Sequence, residues 1–344
     1  MSDLQRALGL ELPIVQAPMA GVQDHALAVA VCNAGGLGSL PCAMFDTEGA
    51  RRELVALRGG TDKPFNLNFF CHAQPTVDAA REAAWRASLA PYYREFDLDL
   101  AAIPAGPGRT PFGAEAVDLL EEFRPAVASF HFGLPEAHLF ARVRATGARI
   151  FASATTVDEA LWLEEHGADA VIAQGLEAGG HRGHFLSDDL SRQAGTFALL
   201  PQVVRAVRLP VIAAGGIADA AGVAAALSLG AALVQLGTAY LLCPEATTSR
   251  VHRDALASDA AGHTALTRLF TGRPARGIVN RLMREQEAAG LAPAFPLATT
   301  AIAPLRKAAE ARGSGDFSPL WSGQNASGCR AVSAAELTRG LFPA

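Results

Sequence analysis

No hydrophobic run in this sequence is long enough to span a bilayer: across its 344 residues, acids, glycines or prolines interrupt each one. The opening stretch, MSDLQRALGLELP, has no apolar segment behind a basic one, so no secretory leader is read there. Positive charge is not in excess either. Lysine and arginine number 29 against 34 acids, and nothing basic is denser than Arg51-Arg52. That balance excludes the footprint of a nucleic-acid or membrane-surface binder. Cysteine is scarce, and Cys32, Cys42, Cys71, Cys243 and Cys329 form no CxxC or Cys…His ligand spacing. An odd count without a leader reads as reduced thiols in the cytoplasm, with no metal centre expected. What is plentiful is apolar surface, half of all residues against 18% charged, enough to bury a large core.

Short β-like runs recur at 13–19, 36–41, 65–70, 126–132, 149–155, 169–175, 210–216 and 232–238. Each is followed by glycine-rich or polar residues and then an alanine- and leucine-rich helical stretch. Between the last two, Asp219 suits an N-cap and Gly230 a helix stop. Eight such βα units predict an α/β fold, a closed (β/α)8 TIM barrel more than an open doubly wound sheet. We read residues 1–242 as the barrel, with an insertion at 72–124. Residues 243–303 read as a mostly helical second domain or lid, and 304–344 as a return segment and tail.

A barrel keeps its chemistry at the C-terminal ends of its strands. AAGGIAD and QLGTAY end the seventh and eighth predicted strands, where Gly215, Gly216, Gly237 and Thr238 suit phosphate binding or, equally simply, tight βα turns. Asn68, Gln174 and Gln235 add amides that both donate and accept, which suits the edge of a planar heterocycle. Three amides around one phosphate site favour flavin mononucleotide (FMN) over a bare phosphosugar. His181, in the loop QGLEAGGHRG, is either a general base or a histidine capping a turn. His131 is either an inward polar group for an anionic substrate or a satisfied core histidine.

VQAPMAG, FNLNFFCH, SFHFG, QGLEAGGHRG, PVIAAGGIAD, LVQLGTAYLLCPEA and GRPARGIVNR, in this order, resemble the nitronate monooxygenase family. The resemblance implies an FMN-containing barrel that oxidises alkyl nitronates, such as propionate 3-nitronate, with O2 to a carbonyl compound and nitrite. By the same resemblance, His181 matches the catalytic histidine and His131 lines the substrate pocket. Met19, Asn68, Gln174, Gly179, Gly180, Gly215, Gly216 and the run Gln235, Leu236, Gly237, Thr238 match FMN contacts. The partners expected are therefore a small nitronate or nitroalkane and O2, for a monomer or homodimer. The competing readings are an NAD(P)H-dependent flavin reductase of quinone or enoyl-ACP reductase type, and a non-catalytic flavin- or phosphate-binding module. The first lacks a GxGxxG fingerprint, and the second gives no reason for His181. A barrel with a nucleophilic cysteine after the sixth strand is disfavoured, because that loop carries none.

Overall fold

The computed structural model describes residues 1–103 and 109–342; positions 104–108 of the predicted insertion lie outside them. Six barrel strands come first: β1 Ile14–Gln16, β2 Gly38–Pro41, β3 Phe65–Phe70, β4 Val127–His131, β5 Arg149–Ala154 and β6 Ala170–Gln174. A two-residue strand, β7 Gly180–His181, precedes the last two barrel strands, β8 Val211–Ala214 and β9 Leu233–Leu236. The barrel strands run parallel in the order β1-β9-β8-β6-β5-β4-β3-β2, and a parallel bridge from Val15 to Leu37 brings β1 beside β2. The sheet thus closes on itself. All eight predicted runs contain their strands.

Strand side chains alternate faces, and the two cores divide accordingly. Val15, Val127, Phe151, Ala170, Ile172, Ile212, Ala214 and Leu233 fill the barrel interior together with Leu4 and Leu8 of the N-terminal segment. Val171, Ala173, Val211, Ala213, Val234 and Leu236 face outward and pack with Leu199, Leu200, Val203 and Val223 of the surrounding helices. Asn68, His131, Ser153, Gln174 and Gln235 share the inward parity. They therefore meet at the barrel mouth. Asp219 caps the helix Ala220–Ser228 by accepting from Gly222 N, and Gly230, with φ of 101°, follows that helix as expected.

Beyond the barrel, β10 Thr264–Thr267 and β11 Ala275–Ile278 form an antiparallel pair, and β11 also pairs with β7. The segment read as mostly helical therefore contributes two strands to a three-stranded sheet whose third member lies in the loop after β6. Of its helices, Arg281–Gln286 and Ala298–Ala311 join the insertion's helix Ala79–Glu95, while Leu256 of Arg250–Leu256 packs with Leu241, Ile278 and Leu320. Trp85, Leu89, Tyr92 and Tyr93 of the insertion share one core with Phe270, Leu282, Ile302, Leu305 and Phe317. The Tyr93 hydroxyl donates to Ala301 O at 2.7 Å, tying the two segments together. Helix Ala298–Ala311 continues across position 304 without a break. The chain then returns to the barrel, where Gly323 N donates to Thr238 Oγ1 at 2.9 Å and Gln324 N to Glu177 O at 2.9 Å. Among the described residues, no helix is long and apolar enough to cross a membrane.

Candidate active site

A cavity opens at the C-terminal ends of the barrel strands, roofed by the segments beyond β9. Of the residues singled out from sequence, Met19, Asn68, His131, Gln174, Gly179, Gly180 and His181 line it. So do Gly215, Gly216, Gln235, Gly237 and Thr238. Leu236 does not. The pleat sends its side chain, 1% exposed, into the outer core, so only its backbone can face a ligand there.

One wall is a glycine turn. Gly215 and Gly216 have φ of 115° and 72°, a region that costs residues with a Cβ, so the chain turns tightly after β8. A short 3-10 turn, Thr238–Tyr240, follows β9 beside it. The return segment seals this wall, with Asn325 Nδ2 donating to Gly216 O at 3.1 Å. At Gly179 a Cβ would stand 2.5 Å from Gly323 N, so only glycine lets the loop after β6 and the return segment touch. Gln235 Oε1 is buried at the barrel mouth and has no hydrogen-bond partner among the described residues. An unpaired buried acceptor of this kind is costly unless a ligand donates to it.

The opposite wall holds His181. Its backbone is a rung of the cap sheet, paired with Ala275. Its carbonyl accepts from Gln174 Nε2 at 2.9 Å and interacts with His131 Nε2 at 3.1 Å. Gln174 Oε1 in turn accepts from Gly183 N at 2.8 Å. The Gln174 amide, read from sequence as a flavin contact, is thus engaged at both ends in holding the 181–183 loop. His131 is similarly engaged, since its Nδ1 pairs with Ser153 Oγ at 2.9 Å. It lines the cavity, but both of its ring nitrogens are bonded within the protein.

The His181 ring is boxed by Phe70, Phe132, Phe295 and Trp321, with ring centroids 5.4–6.1 Å away. Its Nε2 lies 2.9 Å from Thr271 Oγ1, and that hydroxyl is 3.4 Å from Arg273 O. A Thr271 hydroxyl donating to Arg273 O accepts the His181 Nε2–H, which leaves Nδ1 as the basic nitrogen. Burial first, then the Arg109 charge, hold the His181 pKa well below 6.5, so the ring is neutral.

Two arginines were not distinguished in the sequence. Arg182 is fully buried and donates to Gly175 O at 2.7 Å, Gln174 O at 2.8 Å and Gln193 Oε1 at 2.8 Å. It ties the start of the His181 loop to its end. Arg109 lines the cavity from the insertion, with its Cζ 5.7 Å from the Phe295 ring centroid.

Buried histidines beyond His181 carry a consequence for stability. Burial is the first cause holding His72, His184 and His252 down to about 4, and His131 to about 3. Unfolded, each takes a proton near 6.5; folded, it stays neutral until far lower pH. The unfolded state then binds more protons, so stability falls as pH drops below 6.5, by about 1.4 kcal/mol per unit for each such group. Thermal melts at pH 7, 6 and 5 should show a steadily falling midpoint. A constant midpoint would contradict this account.

The comparisons with known proteins agree with the geometry. The family model described as nitronate monooxygenase matches residues 2–343. The chain belongs to the nitronate monooxygenase family. It is 45% identical to a nitronate monooxygenase of Pseudomonas aeruginosa, over 98% of this chain and 97% of that protein. A nitronate monooxygenase of Paraburkholderia phytofirmans is 46% identical over 97% of this chain and 92% of its own. Among solved structures, a nitroalkane oxidase from Streptomyces ansochromogenes superposes with a TM-score of 0.87 at 39% identity, covering 96% of this chain and 95% of that one. FabK from Thermotoga maritima shares the fold with a TM-score of 0.73 at 26% identity, covering 99% and 94%. As a member of this family the chain is an oxidoreductase, and its relatives support oxidation of nitronates.

Proposed function

We propose that this protein is an FMN-dependent enzyme that oxidises alkyl nitronates with O2 to a carbonyl compound and nitrite, and that His181 deprotonates nitroalkanes in the same site. The observation that carries this reading is that a neutral, half-buried His181 lines one cavity with the Gly215–Gly216 turn and the orphaned Gln235 amide oxygen. These residues fit FMN. The glycine turn and the 3-10 turn at Thr238 would hold the phosphate, Gln235 would accept from a ring N–H, and Met19 and Asn68 would border the ring. When bound, FMN supplies the electron transfer with substrate and O2; the protein supplies position, charge and a proton acceptor. The aromatic box around His181 excludes water and favours a small, flat substrate. His181 Nδ1 is the atom that takes the α-proton of a nitroalkane; a preformed nitronate needs no such step.

Purified protein should be yellow, release FMN on heating, and consume O2 on addition of ethyl nitronate. Rapid flavin reduction by NADH with no nitronate-dependent O2 uptake would overturn the proposal in favour of an NAD(P)H-dependent flavin reductase.

A further inference from the structure

Arg109 is the single charged side chain among the described residues that line the cavity; no aspartate, glutamate or lysine is among them. Its Nη1 is buried and has no hydrogen-bond partner among the described residues. A second guanidinium, that of Arg273, lies over the neighbouring Phe132 ring at 4.1 Å; it donates to His184 O, its Nε also has no partner among the described residues, and it does not line the cavity. The aromatic wall beside His181 therefore carries cationic charge with no carboxylate in the cavity to balance it. Arg109 as a residue is half-buried, and a guanidinium partly withdrawn from water without a counter-charge is unfavourable until an anion arrives.

We infer that Arg109 is the group that pairs with the nitronate anion, and that it gives the site its preference for the nitronate over the neutral nitroalkane. The inference rests on the nitronate reading above. A nitronate carries its charge over a planar O–N–O unit, the shape that a guanidinium fork recognises. His181 cannot supply that charge, because burial keeps its ring neutral, while burial lowers Arg109 only to about 10, so it stays charged at neutral pH. The same charge stabilises the anion that forms as His181 takes a proton. Arg109 thus acts on the ground state of one substrate and on the transition state of the other, which gives a kinetic signature.

The test uses FMN-loaded wild type, Arg109→Met and Arg109→Lys, with O2 uptake on ethyl nitronate and on nitroethane. Nitrate, a planar N–O anion, serves as a binding probe followed by tryptophan fluorescence, since Trp321 lines the cavity. In Arg109→Met, the KM for ethyl nitronate and the Kd for nitrate should each rise about tenfold to a hundredfold. For nitroethane, KM should hold while kcat falls, and Arg109→Lys should recover part of each loss. Unchanged nitronate KM and nitrate Kd would overturn the inference. So would an equal rise in KM for both substrates, the mark of a structural role. With propionate 3-nitronate as a third substrate, a loss confined to it would also overturn the inference, assigning Arg109 to its distal carboxylate instead. Wild type that oxidises neither substrate would defeat the proposed reaction, while the nitrate titration would still decide the role of Arg109.

Discussion

Replacing His181 with asparagine lowers turnover of neutral nitroalkanes by about 10²–10⁴-fold, and turnover of a preformed nitronate by far less. The difference follows from the substrates, because only the nitroalkane has an α-proton to lose. Asparagine keeps a polar group within reach of Thr271 but offers no basic nitrogen. FMN should be retained, since the turn at Gly215 and Gly216 lies on the other wall of the cavity. The pH dependence adds a second check. With the His181 pKa held well below 6.5, the neutral ring persists as pH falls through 6.5. Wild-type turnover of nitroethane should therefore stay level through pH 6.5 rather than halve there. A base this weak depends on stabilisation of its anionic product, which Arg109 provides. Oxygen uptake on nitroethane and ethyl nitronate, measured side by side, decides the matter: equal losses would make His181 a positioning residue, and unchanged nitroethane turnover would remove the base assignment.

Arg182→Met should be the most destabilising single change in the site. It strips the donor from Gln174 O and from Gln193 Oε1, two acceptors that the fold keeps from water, and leaves Gly175 O only its bond from Ala178 N. Each orphaned acceptor costs about 1–3 kcal/mol, so the total rivals the margin by which a domain is stable. Arg182→Lys should restore little, because an ammonium is a compact point donor and cannot span three acceptors as the guanidinium does. Activity should fall with stability, since the same bonds hold the loop that presents His181. Denaturant midpoints and O2 uptake on the FMN-loaded variants measure both effects. A midpoint equal to wild type would show that solvent replaces those bonds at no cost.

The barrel was legible because each strand is a short apolar run that ends in glycine or a polar residue, and because the helices between carry their own stops, as at Asp219 and Gly230. The polar residues at the strand ends were legible for the same reason. Their partners were not. Nothing local distinguishes a Gln174 amide that meets a ligand from one that accepts from Gly183 N and donates to His181 O. The motif gave no sign that alternation turns the Leu236 side chain into the outer core while Gln235 and Gly237 line the cavity. β10 and β11 escaped because two four-residue strands are too short to leave a local period, and the pairing of β11 with β7 is far away in sequence. Arg182 stood next to His181 in the motif, and its burial follows from tertiary carbonyls that no spacing reveals. Arg109 had one usable signal, an isolated cation in a Pro/Gly-rich stretch of the insertion, but only the closed cavity shows that no acid faces it.

The pairing of β7 with β11 bears on how the molecule can change over time. His181 belongs to a sheet whose other two strands are encoded after the barrel is complete, so the position of this proposed proton acceptor is written in two distant parts of the gene. A cap exchanged between relatives would carry its own strand register and reset the imidazole without altering a single barrel residue. Gly180–His181 and Ala275–Arg276 share one register, so a shift in either strand carries the other with it. The cap is thus continuous with the loop that presents His181 rather than a detachable module.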